Sequence, residues 1–448
     1  MQGSRIHQVL AKEMTSRPGD HRIRIIVKYK EHIAKSKAIE AARLPEPPSR
    51  VLSVVPAVAL SAAPSEIEAL SREPDIDRIW PDLPVHACLD VSTSVIRAPS
   101  VWHEGYEGAG VGICILDTGI DLEHPDFAGR ITGVADFTGE GMSDLNGHGT
   151  HVAGIAAGDG RGSGGKYRGV APAAQLFVAK VLDRRGSALM SDVMAGIDWA
   201  VKQNVDVINL SLSGPPPGDG TDALSETADL VAERGFVVCA AGGNSGPTPG
   251  SIGPPGCARQ VITVGASTDD DNILEASSRG PTADGRVKPD VVFPGAGIVS
   301  CRAHDTSLGN ALNFAYTEAS GTSMATPHAA GVAALLLESD PGLTPREIKQ
   351  LIMGAAVDLG LEANSQGAGR GDAYASLNSK PIPEAEPTTS GCLVQMLQLL
   401  ASLSRIWVRE CRGAERAVGS LRRASCDRIL PLWNALIGDG EGGRTVGF

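Results

Sequence analysis

The central part of this chain alternates short apolar segments with segments of helical character. The apolar runs are VGICIL (111–116), AQLFVAKVL (174–182), DVINLSL (206–212), FVVCAAG (236–242) and VITVGA (261–266). Such nearly continuous apolar strands are typical of a parallel sheet that helices cover on both faces, because neither side of the strand meets water. Helices are predicted from about His148, over Ser191–Lys202, over Leu224–Arg234 and over Ser323–Glu338. We therefore expect an α/β fold with a mostly parallel central sheet and helices on both faces, over residues 91–379.

A smaller region, residues 1–90, precedes this domain. The predicted strands are residues 22–30, Val51–Leu60 and Ile76–Trp80. Lys35–Arg43 is predicted to be a helix. The capping-box pattern of Ser65–Glu68 predicts a second, short helix that begins at this pattern. These elements predict a small α+β domain of the βαββαβ type.

Residues 380–448 differ in composition from the central domain. The segment Pro381–Pro387 (PIPEAEP) is predicted to be a linker, and Cys392–Leu403 and Ala414–Leu436 are predicted to be amphipathic helices with arginine on the polar face. Two interpretations remain open: a helical appendage packed on the central domain, and a tail that docks on a partner or a membrane surface.

The charge and the cysteines narrow the class of protein. The net charge is -12, and the acidic excess lies in the central block, which argues against a nucleic-acid partner.

The first 20 residues lack the apolar core of a signal peptide, and no stretch is long enough to span a membrane. We therefore expect a cytoplasmic protein without a transmembrane segment, while secretion by another route stays open. The eight cysteines show no CxxC spacing and are expected to be reduced, mostly buried thiols.

Asp117 follows the apolar strand 111–116 directly. A carboxylate at the carboxyl end of a parallel strand lies where open α/β sheets bind ligands. The triplet Asp117–Gly119 (DTG) also occurs in aspartic proteases, but these need two such loops to pair two carboxylates. The chain has no second DTG or DSG, so that alternative is disfavoured.

His148 and Ser323 each stand near the start of a predicted helix. The pair His148 and His151 could suggest zinc, but no HExxH motif is present, and His148 between two glycines is the better candidate for a general base. Ser323 follows Gly321-Thr322 at a helix N-terminus, where backbone N–H groups can stabilise a developing oxyanion. Taken alone, a serine in this position would be interpreted as a helix N-cap.

The order of these residues along the chain decides between the known serine-hydrolase arrangements. Asp117, His148 and Ser323 occur in the order Asp, His, Ser, whereas α/β-hydrolases have Ser, Asp, His and chymotrypsin-like enzymes have His, Asp, Ser. Only the order of the subtilisins fits.

The segments ILDTGID (115–121), NGHGTHVAG (146–154) and GTSMATPHAAG (321–331) resemble the three active-site motifs of the subtilase family. The resemblance extends over roughly residues 95–375 and includes SSRGP (277–281) and KPDVVFPG (288–295). The segment KYRGVAP (166–172) and the absence of a visible signal peptide most resemble the AprX-type intracellular subtilases. The resemblance implies a subtilisin-like fold and a serine endopeptidase that hydrolyses proteins and peptides through an acyl-enzyme.

The resemblance also implies roles for individual residues. Asp117 would orient His148, which would act as base and then acid, and Ser323 would be the nucleophile. Asn244, in GGNSG (242–246), would complete the oxyanion hole. The substrate backbone would pair with Ser211, Leu212, Ser213 and Gly214, which would also form one wall of the pocket for the substrate side chain. The family usually has two glycines where this chain has Ser213 and Gly214.

Residues 22–88 resemble, more loosely, the inhibitor-like propeptide of the subtilases. This implies an autoprocessed zymogen whose propeptide acts as an intramolecular inhibitor; a permanent N-terminal domain is the alternative.

No cofactor is required for the chemistry and no metal-ligating residues are predicted. Many relatives bind structural calcium in the loop that corresponds to 158–168, but this loop offers only Asp159 as a carboxylate, so calcium is not expected there, while a structural calcium site elsewhere stays open. A peptide-binding pseudoprotease and a protease that processes only itself are the alternative functions.

Overall fold

The computed structural model of this 448-residue chain describes residues 5–7, 10–11, 14, 21–30, 47–52, 54–82, 84–87 and 94–381. The predicted helix Lys35–Arg43, the two predicted C-terminal helices and all of the predicted linker except Pro381 lie outside the described residues. In the part of the chain that is described, no helix is both long enough and apolar enough to cross a membrane.

The strands and helices follow the chain in this order. The strands are β1 (Ile23–Tyr29), β2 (Arg50–Val51), β3 (Ala57–Ala62), β4 (Ile76–Pro81), β5 (Pro84–Ala87), β6 (Gly112–Asp117), β7 (Ile131–Asp136), β8 (Gln175–Lys180), β9 (Ser187–Leu189), β10 (Val207–Leu210), β11 (Leu212–Ser213), β12 (Val237–Ala241), β13 (Ile262–Ser267), β14 (Val291–Pro294), β15 (Ile298–Cys301), β16 (Asn310–Ala311) and β17 (Tyr316–Ala319). The α-helices are α1 (Pro64–Arg72), α2 (Ala98–His103), α3 (His148–Ala157), α4 (Met190–Lys202), α5 (Ala223–Glu233), α6 (Thr322–Ser339), α7 (Pro345–Gly354), α8 (Ala363–Gln366) and α9 (Ala373–Leu377).

The predicted parallel sheet is confirmed. Seven strands lie in the order β14-β13-β12-β10-β6-β8-β7, and every neighbouring pair is parallel. The direction of strand addition reverses at β6, because β8 and β7 lie on one side of it and β10 and the later strands on the other. The crevice at the carboxyl ends of β6 and β10 is therefore the place where a sheet of this kind binds its ligand.

Helices cover both faces of this sheet. In β6, Ile113 and Ile115 contribute to one apolar cluster together with residues of α3 and α6, while Cys114 and Leu116 contribute to the opposite cluster together with residues of α4 and α5. All six residues of β6 are buried, which explains why the strand lacks the alternation of an exposed sheet. Four buried cysteines are free thiols, as expected from the sequence: Cys114, Cys239, Cys257 and Cys301.

The N-terminal region forms a separate antiparallel sheet with the order β2-β3-β1-β4, together with α1. The predicted start of α1 was wrong: the helix begins at Pro64, and the N-cap is Ala63. Its backbone N–H donates to Glu66 Oε2 at 2.7 Å, so the capping carboxylate comes from Glu66 and not from Glu68. Proline is favoured in the first turn, where its missing N–H would have no partner.

One face of the N-terminal sheet packs on the central domain. Ile26, Val54 and Trp80 belong to the same apolar cluster as the residues of α4 and α5. Trp80 is fully buried, and its Nε1 donates to Thr221 O at 2.7 Å.

Two small antiparallel sheets complete the described chain. In the first, β5 lies between β11 and β9, with His86 opposite Ser213 and Pro84 opposite Leu189. In the second, β17 lies between β15 and β16. The boundaries predicted for the three regions, 1–90, 91–379 and 380–448, stay predictions.

Candidate active site

Asp117 is the last residue of β6, and His148 is the first residue of α3. The two side chains are fully buried, and His148 Nδ1 lies 2.6 Å from Asp117 Oδ1. The same oxygen accepts the backbone N–H of Thr118 at 2.7 Å. Asp117 Oδ2 is buried without a hydrogen-bond partner among the described residues. This arrangement fixes the ring so that its other nitrogen, Nε2, faces away from the carboxylate.

His148 lies between two glycines, Gly147 and Gly149, that pack closely against neighbouring segments. A Cβ on Gly147, whose φ is 103°, would lie 2.8 Å from Thr306 Oγ1. A Cβ on Gly149 would lie 2.2 Å from the carbonyl oxygen of Gly119, in the loop after Asp117. The DTG and HGTH segments can therefore touch only because Gly149 has no side chain, while Gly147 packs closely against Thr306.

The second histidine of the motif has a different role. His151 is fully buried, with Nε2 3.1 Å from Ile298 O and 3.2 Å from Thr317 O. Burial lowers the pKa of His151 to about 3, so the ring is neutral at physiological pH. His148 is bonded to Asp117 and His151 to backbone carbonyls, and this arrangement does not favour a shared zinc ion.

Ser323 is the second residue of α6 and is fully buried. Its Oγ donates to the carbonyl oxygen of Ser211 at 2.8 Å, and Ser211 Oγ donates in return to Ser323 O at 2.7 Å. The N-cap position is occupied by Gly321, with a φ of 149°, so the interpretation of Ser323 as a helix cap is wrong. The serine lies inside the first turn, where the free backbone N–H groups of the helix are concentrated.

Asn244 lies in the loop after β12 and is half-buried. Its Oδ1 accepts the backbone N–H of Thr322 at 2.9 Å and the Thr322 hydroxyl at 3.2 Å. The same hydroxyl accepts the backbone N–H of Gly243 at 3.2 Å. Because the amide oxygen is engaged in this way, the Nδ2 group is the part of the side chain that can donate to another acceptor.

The segment Ser211–Gly214 continues from β10 as an edge strand. Ser211 is held at one end by Ser323, as described above, and by Asn209, whose Nδ2 donates to Ser211 Oγ at 2.9 Å. At the other end, the backbone N–H of Gly214 donates to Pro254 O at 2.6 Å. Between these anchors, Leu212 is buried and β11 pairs with β5.

Asp144 is a buried carboxylate that the sequence analysis did not identify, and it joins the two loops of the site. Its Oδ1 accepts the Thr118 hydroxyl at 2.9 Å and the backbone N–H of Gly147 at 2.7 Å. Its Oδ2 accepts the backbone N–H and the hydroxyl of Thr150 at 2.9 and 2.7 Å. One side chain thereby caps the N-terminus of α3 and holds the residue that follows Asp117. The only sequence signal was an acidic residue just before a helix.

The loop 158–168 does not fit a calcium ion. Asp159 forms an ion pair with Arg161 at 3.2 Å. The neighbouring carboxylate of Asp126 already accepts the backbone N–H of Gly162 at 2.7 Å and the hydroxyl of Tyr316 at 2.8 Å. A hard cation takes six to eight oxygen ligands, and the two carboxylates here are engaged with protein donors.

His124, Asp126 and Cys301 are close enough to one another to surround a metal ion. Their atoms are instead bonded to the protein: His124 Nε2 lies 2.8 Å from Ala315 O and His124 Nδ1 accepts the backbone N–H of Asp126 at 3.2 Å. Cys301 Sγ donates to Asp126 at 3.5 Å, and burial, followed by the Asp126 charge, raises the pKa of the thiol well above its ordinary value. A protonated thiol is a poor ligand, so this cluster is a hydrogen-bonded part of the core.

Comparison with known proteins identifies the family. The model of the subtilase family matches residues 108–371. Serine protease AprX of Bacillus subtilis is 39% identical over 316 residues, which cover 64% of this chain and 71% of that protein. Subtilisin DY of Bacillus licheniformis is 39% identical over 270 residues, covering 59% of this chain and 90% of that protein. M-protease of Shouchella clausii is 35% identical over 327 residues, covering 72% and 79%. The chain therefore belongs to the subtilase family and is a subtilisin-like serine endopeptidase, similar to AprX.

Proposed function

We propose that Asp117, His148 and Ser323 are the catalytic triad of this endopeptidase. Ser323 Oγ attacks the carbonyl carbon of the scissile bond and gives its proton to His148 Nε2, and the same ring then protonates the departing amine. Water hydrolyses the resulting acyl-enzyme by the reverse sequence. The observation that carries this proposal is the 2.6 Å contact between His148 Nδ1 and Asp117 Oδ1, because it keeps Nε2 as the nitrogen available for proton transfer.

Asn244 is assigned to the oxyanion hole together with the backbone N–H of Ser323. The bonds from Thr322 to Asn244 Oδ1 support this role, because they tie the orientation of the amide to the helix that carries the nucleophile. A donor held in place before the reaction stabilises the negative charge of the tetrahedral intermediate without reorganisation.

The substrates are proteins and peptides that bind as an extended strand beside β11. The chain's own β5 supports this assignment, since it pairs antiparallel with β11 on one side and with β9 on the other. Backbone pairing with a sheet edge is a common way to bind peptides irrespective of their sequence. Ser211, Leu212, Ser213 and Gly214 form this edge in our proposal.

The N-terminal region is proposed to be a propeptide that folds with the central domain and inhibits it. Support comes from Asp82, which accepts the backbone N–H of Ser191 at 2.9 Å and the Ser191 hydroxyl at 2.7 Å. These bonds cap α4, whose own N-cap residue, Leu189, provides no side-chain cap. A helix that takes its cap from another region gains stability when that region is present. β5 between β9 and β11 is the inhibitory contact.

We further propose a cytoplasmic location, without a transmembrane segment or a nucleic-acid partner. The four buried free thiols support it, because disulfides form and persist mainly in oxidising compartments. The chemistry itself needs no cofactor.

The register of β5 predicts the bond at which the chain cuts itself. His86 pairs with Ser213 and Ala87 with Leu212, and a strand that kept this register would next pair with Ser211. Ser211 O accepts the Ser323 hydroxyl, and we therefore expect cleavage between Cys88 and Leu89, both of which lie outside the described residues. Incubation of the purified chain, followed by N-terminal sequencing, should give a product that begins at Leu89 and digests casein. A chain that cuts itself but leaves casein and peptides intact would be a self-processing protease only, and one that does neither would be a pseudoprotease.

Replacing Asp144 by Asn should lower kcat by about 10-fold or more while KM changes little. The amide cannot accept all the bonds of the carboxylate, and each buried donor left without a partner costs about 1–3 kcal/mol. We expect the cost to appear as misplacement of His148 relative to Ser323, to which catalysis is sensitive. Steady-state kinetics with a peptide ester measure the two parameters separately.

Asp136→Asn is the matched control for this experiment. Asp136 accepts bonds from its own loop, from the backbone N–H of Thr138 at 2.8 Å and from that of Gly141 at 2.8 Å, but it does not connect the segments of the active site. Its kcat should equal that of the parent. Equal losses in both variants would mean that Asp144 has only a general structural role.

A further inference from the structure

The loop after β12 carries Asn244, and a segment with no role in the proposed mechanism packs against it. This segment, residues 276–278, follows β13 and overlaps the SSRGP string of the sequence. The backbone N–H of Ser278 donates to Gly243 O at 2.9 Å. The first residue of the segment accepts the backbone N–H of Gly246 at 2.9 Å through its carbonyl oxygen. The loop is therefore paired with this segment on both sides of Asn244.

Ser278 also bonds to the loop through its side chain. It is fully buried, and its Oγ accepts the backbone N–H of Ser245 at 3.1 Å. Its own N–H and its Oγ thus hold Gly243 and Ser245, the residues directly before and after Asn244. A Cβ on Gly243, whose φ is 105°, would lie 3.0 Å from Ser278 Oγ, so the absence of a side chain there lets the two segments come this close.

The segment that contains Ser278 is itself anchored on both sides. Ser277 is fully buried, and its Oγ accepts the backbone N–H of Ala266, in β13, at 3.0 Å. On the other side, the backbone N–H of Arg279 donates to Ser251 Oγ at 2.9 Å. Ser278 lies between these two anchors, so its hydroxyl connects the loop after β12 to the central sheet.

The position of this loop matters for the proposed chemistry. An oxyanion donor is effective when it is in place before the reaction, because a donor that has to move first loses part of its effect. The Thr322 bonds described above hold the Asn244 side chain and the N–H of Gly243. The Ser278 hydroxyl holds the backbone at Ser245, on the other side of Asn244.

We propose that Ser278 is a positioning residue of the oxyanion site, whose hydroxyl holds the backbone after Asn244 so that the amide donor is in place before the tetrahedral intermediate forms. This inference rests on the proposed function of Asn244. Ser278 is assigned no contact with the substrate, so its loss acts on kcat and not on KM. It also has no effect on catalysis once the amide donor of Asn244 has been removed.

The test is a double-mutant cycle of Ser278→Ala and Asn244→Leu, with kcat and KM measured on a peptide p-nitroanilide. The full-length variants are purified and incubated until gel electrophoresis shows complete self-cleavage, and kcat is expressed per processed chain. Ser278→Ala should lower kcat by about 10-fold with KM unchanged, since a small misplacement of a catalytic group is enough for such a loss. In the Asn244→Leu background, the same change should alter kcat by less than about twofold, because residues that act as a unit are not additive.

Ser277→Ala is the matched control, because it makes the same change at the neighbouring buried serine, whose hydroxyl bonds to β13 and not to the loop. It should leave kcat and KM at the parent values. Thermal unfolding shows whether each variant is folded. Ser278→Cys, which fills the same space with a weaker acceptor, replaces Ser278→Ala in the cycle if the latter does not fold.

Equal kcat values for Ser278→Ala and Ser277→Ala would overturn the proposal, and so would a loss confined to KM. A loss by the same factor in the parent and in the Asn244→Leu background would also overturn it, because Ser278 would then act independently of Asn244. If instead Asn244→Leu has the kcat of the parent, or the parent cleaves no peptide, the proposed function itself fails. The outcomes thus separate the two proposals.

Discussion

Replacing Ser323 by Ala should leave the full-length chain uncut and reduce turnover of casein and peptide esters by about 10⁶-fold, the size of this effect in subtilisin. The change removes the proposed nucleophilic oxygen, which donates to Ser211 O at 2.8 Å. The backbone of α6 is not altered, so the fold should be retained. Gel electrophoresis shows the processing, and ester hydrolysis with long incubation measures the remaining rate.

Ser339→Ala is the matched control for this variant. Ser339 lies at the opposite end of the same helix, and its hydroxyl donates only locally, to Leu336 O at 2.8 Å. This variant should process itself and digest casein at the parent rate. In addition, the uncut Ser323→Ala chain should be cleaved at the same bond when it is mixed with active enzyme. If Ser323→Ala alone were still processed and active at a comparable rate, another nucleophile would have to be sought.

The sequence predicted the central sheet well because its strands are buried on both sides. Gly112–Asp117 and Val237–Ala241 are buried at every position, so their apolar character did not depend on the neighbours that the chain brings to them. The edge strand Ile131–Asp136 was missed, since its residues are only partly buried and include glycine and aspartate. The start of the first N-terminal helix was misplaced because Ser65–Glu68 and Ala63–Glu66 have the same spacing, and Pro64 decides between them.

The residues of the candidate site likewise differ in how clearly the sequence indicates them. Asp117, His148 and Ser323 are carried by local motifs, and the order of the three narrowed the fold to one arrangement. Asp144 had no comparable signal, because one of its hydrogen bonds comes from Thr118, which precedes it by 26 residues.

Replacing Asn244 by Leu should lower kcat by about 10²–10³-fold with little change in KM, a range taken from the corresponding change in subtilisin. The Nδ2 donor is proposed to strengthen its bond only as negative charge develops on the carbonyl oxygen of the substrate, so substrate binding loses little.

Asn244 has a second role that this variant also removes, because its Oδ1 accepts the backbone N–H of Thr322 at 2.9 Å. Asn244→Asp separates the two roles, because it keeps this acceptor and replaces the donor by a negatively charged oxygen that opposes the oxyanion. We expect Asn244→Asp to be at least as slow as Asn244→Leu, while Asn272→Ala, at an exposed asparagine, should behave like the parent. Retained activity in Asn244→Asp, or a loss confined to KM, would reassign Asn244 to anchoring the helix or to binding the substrate.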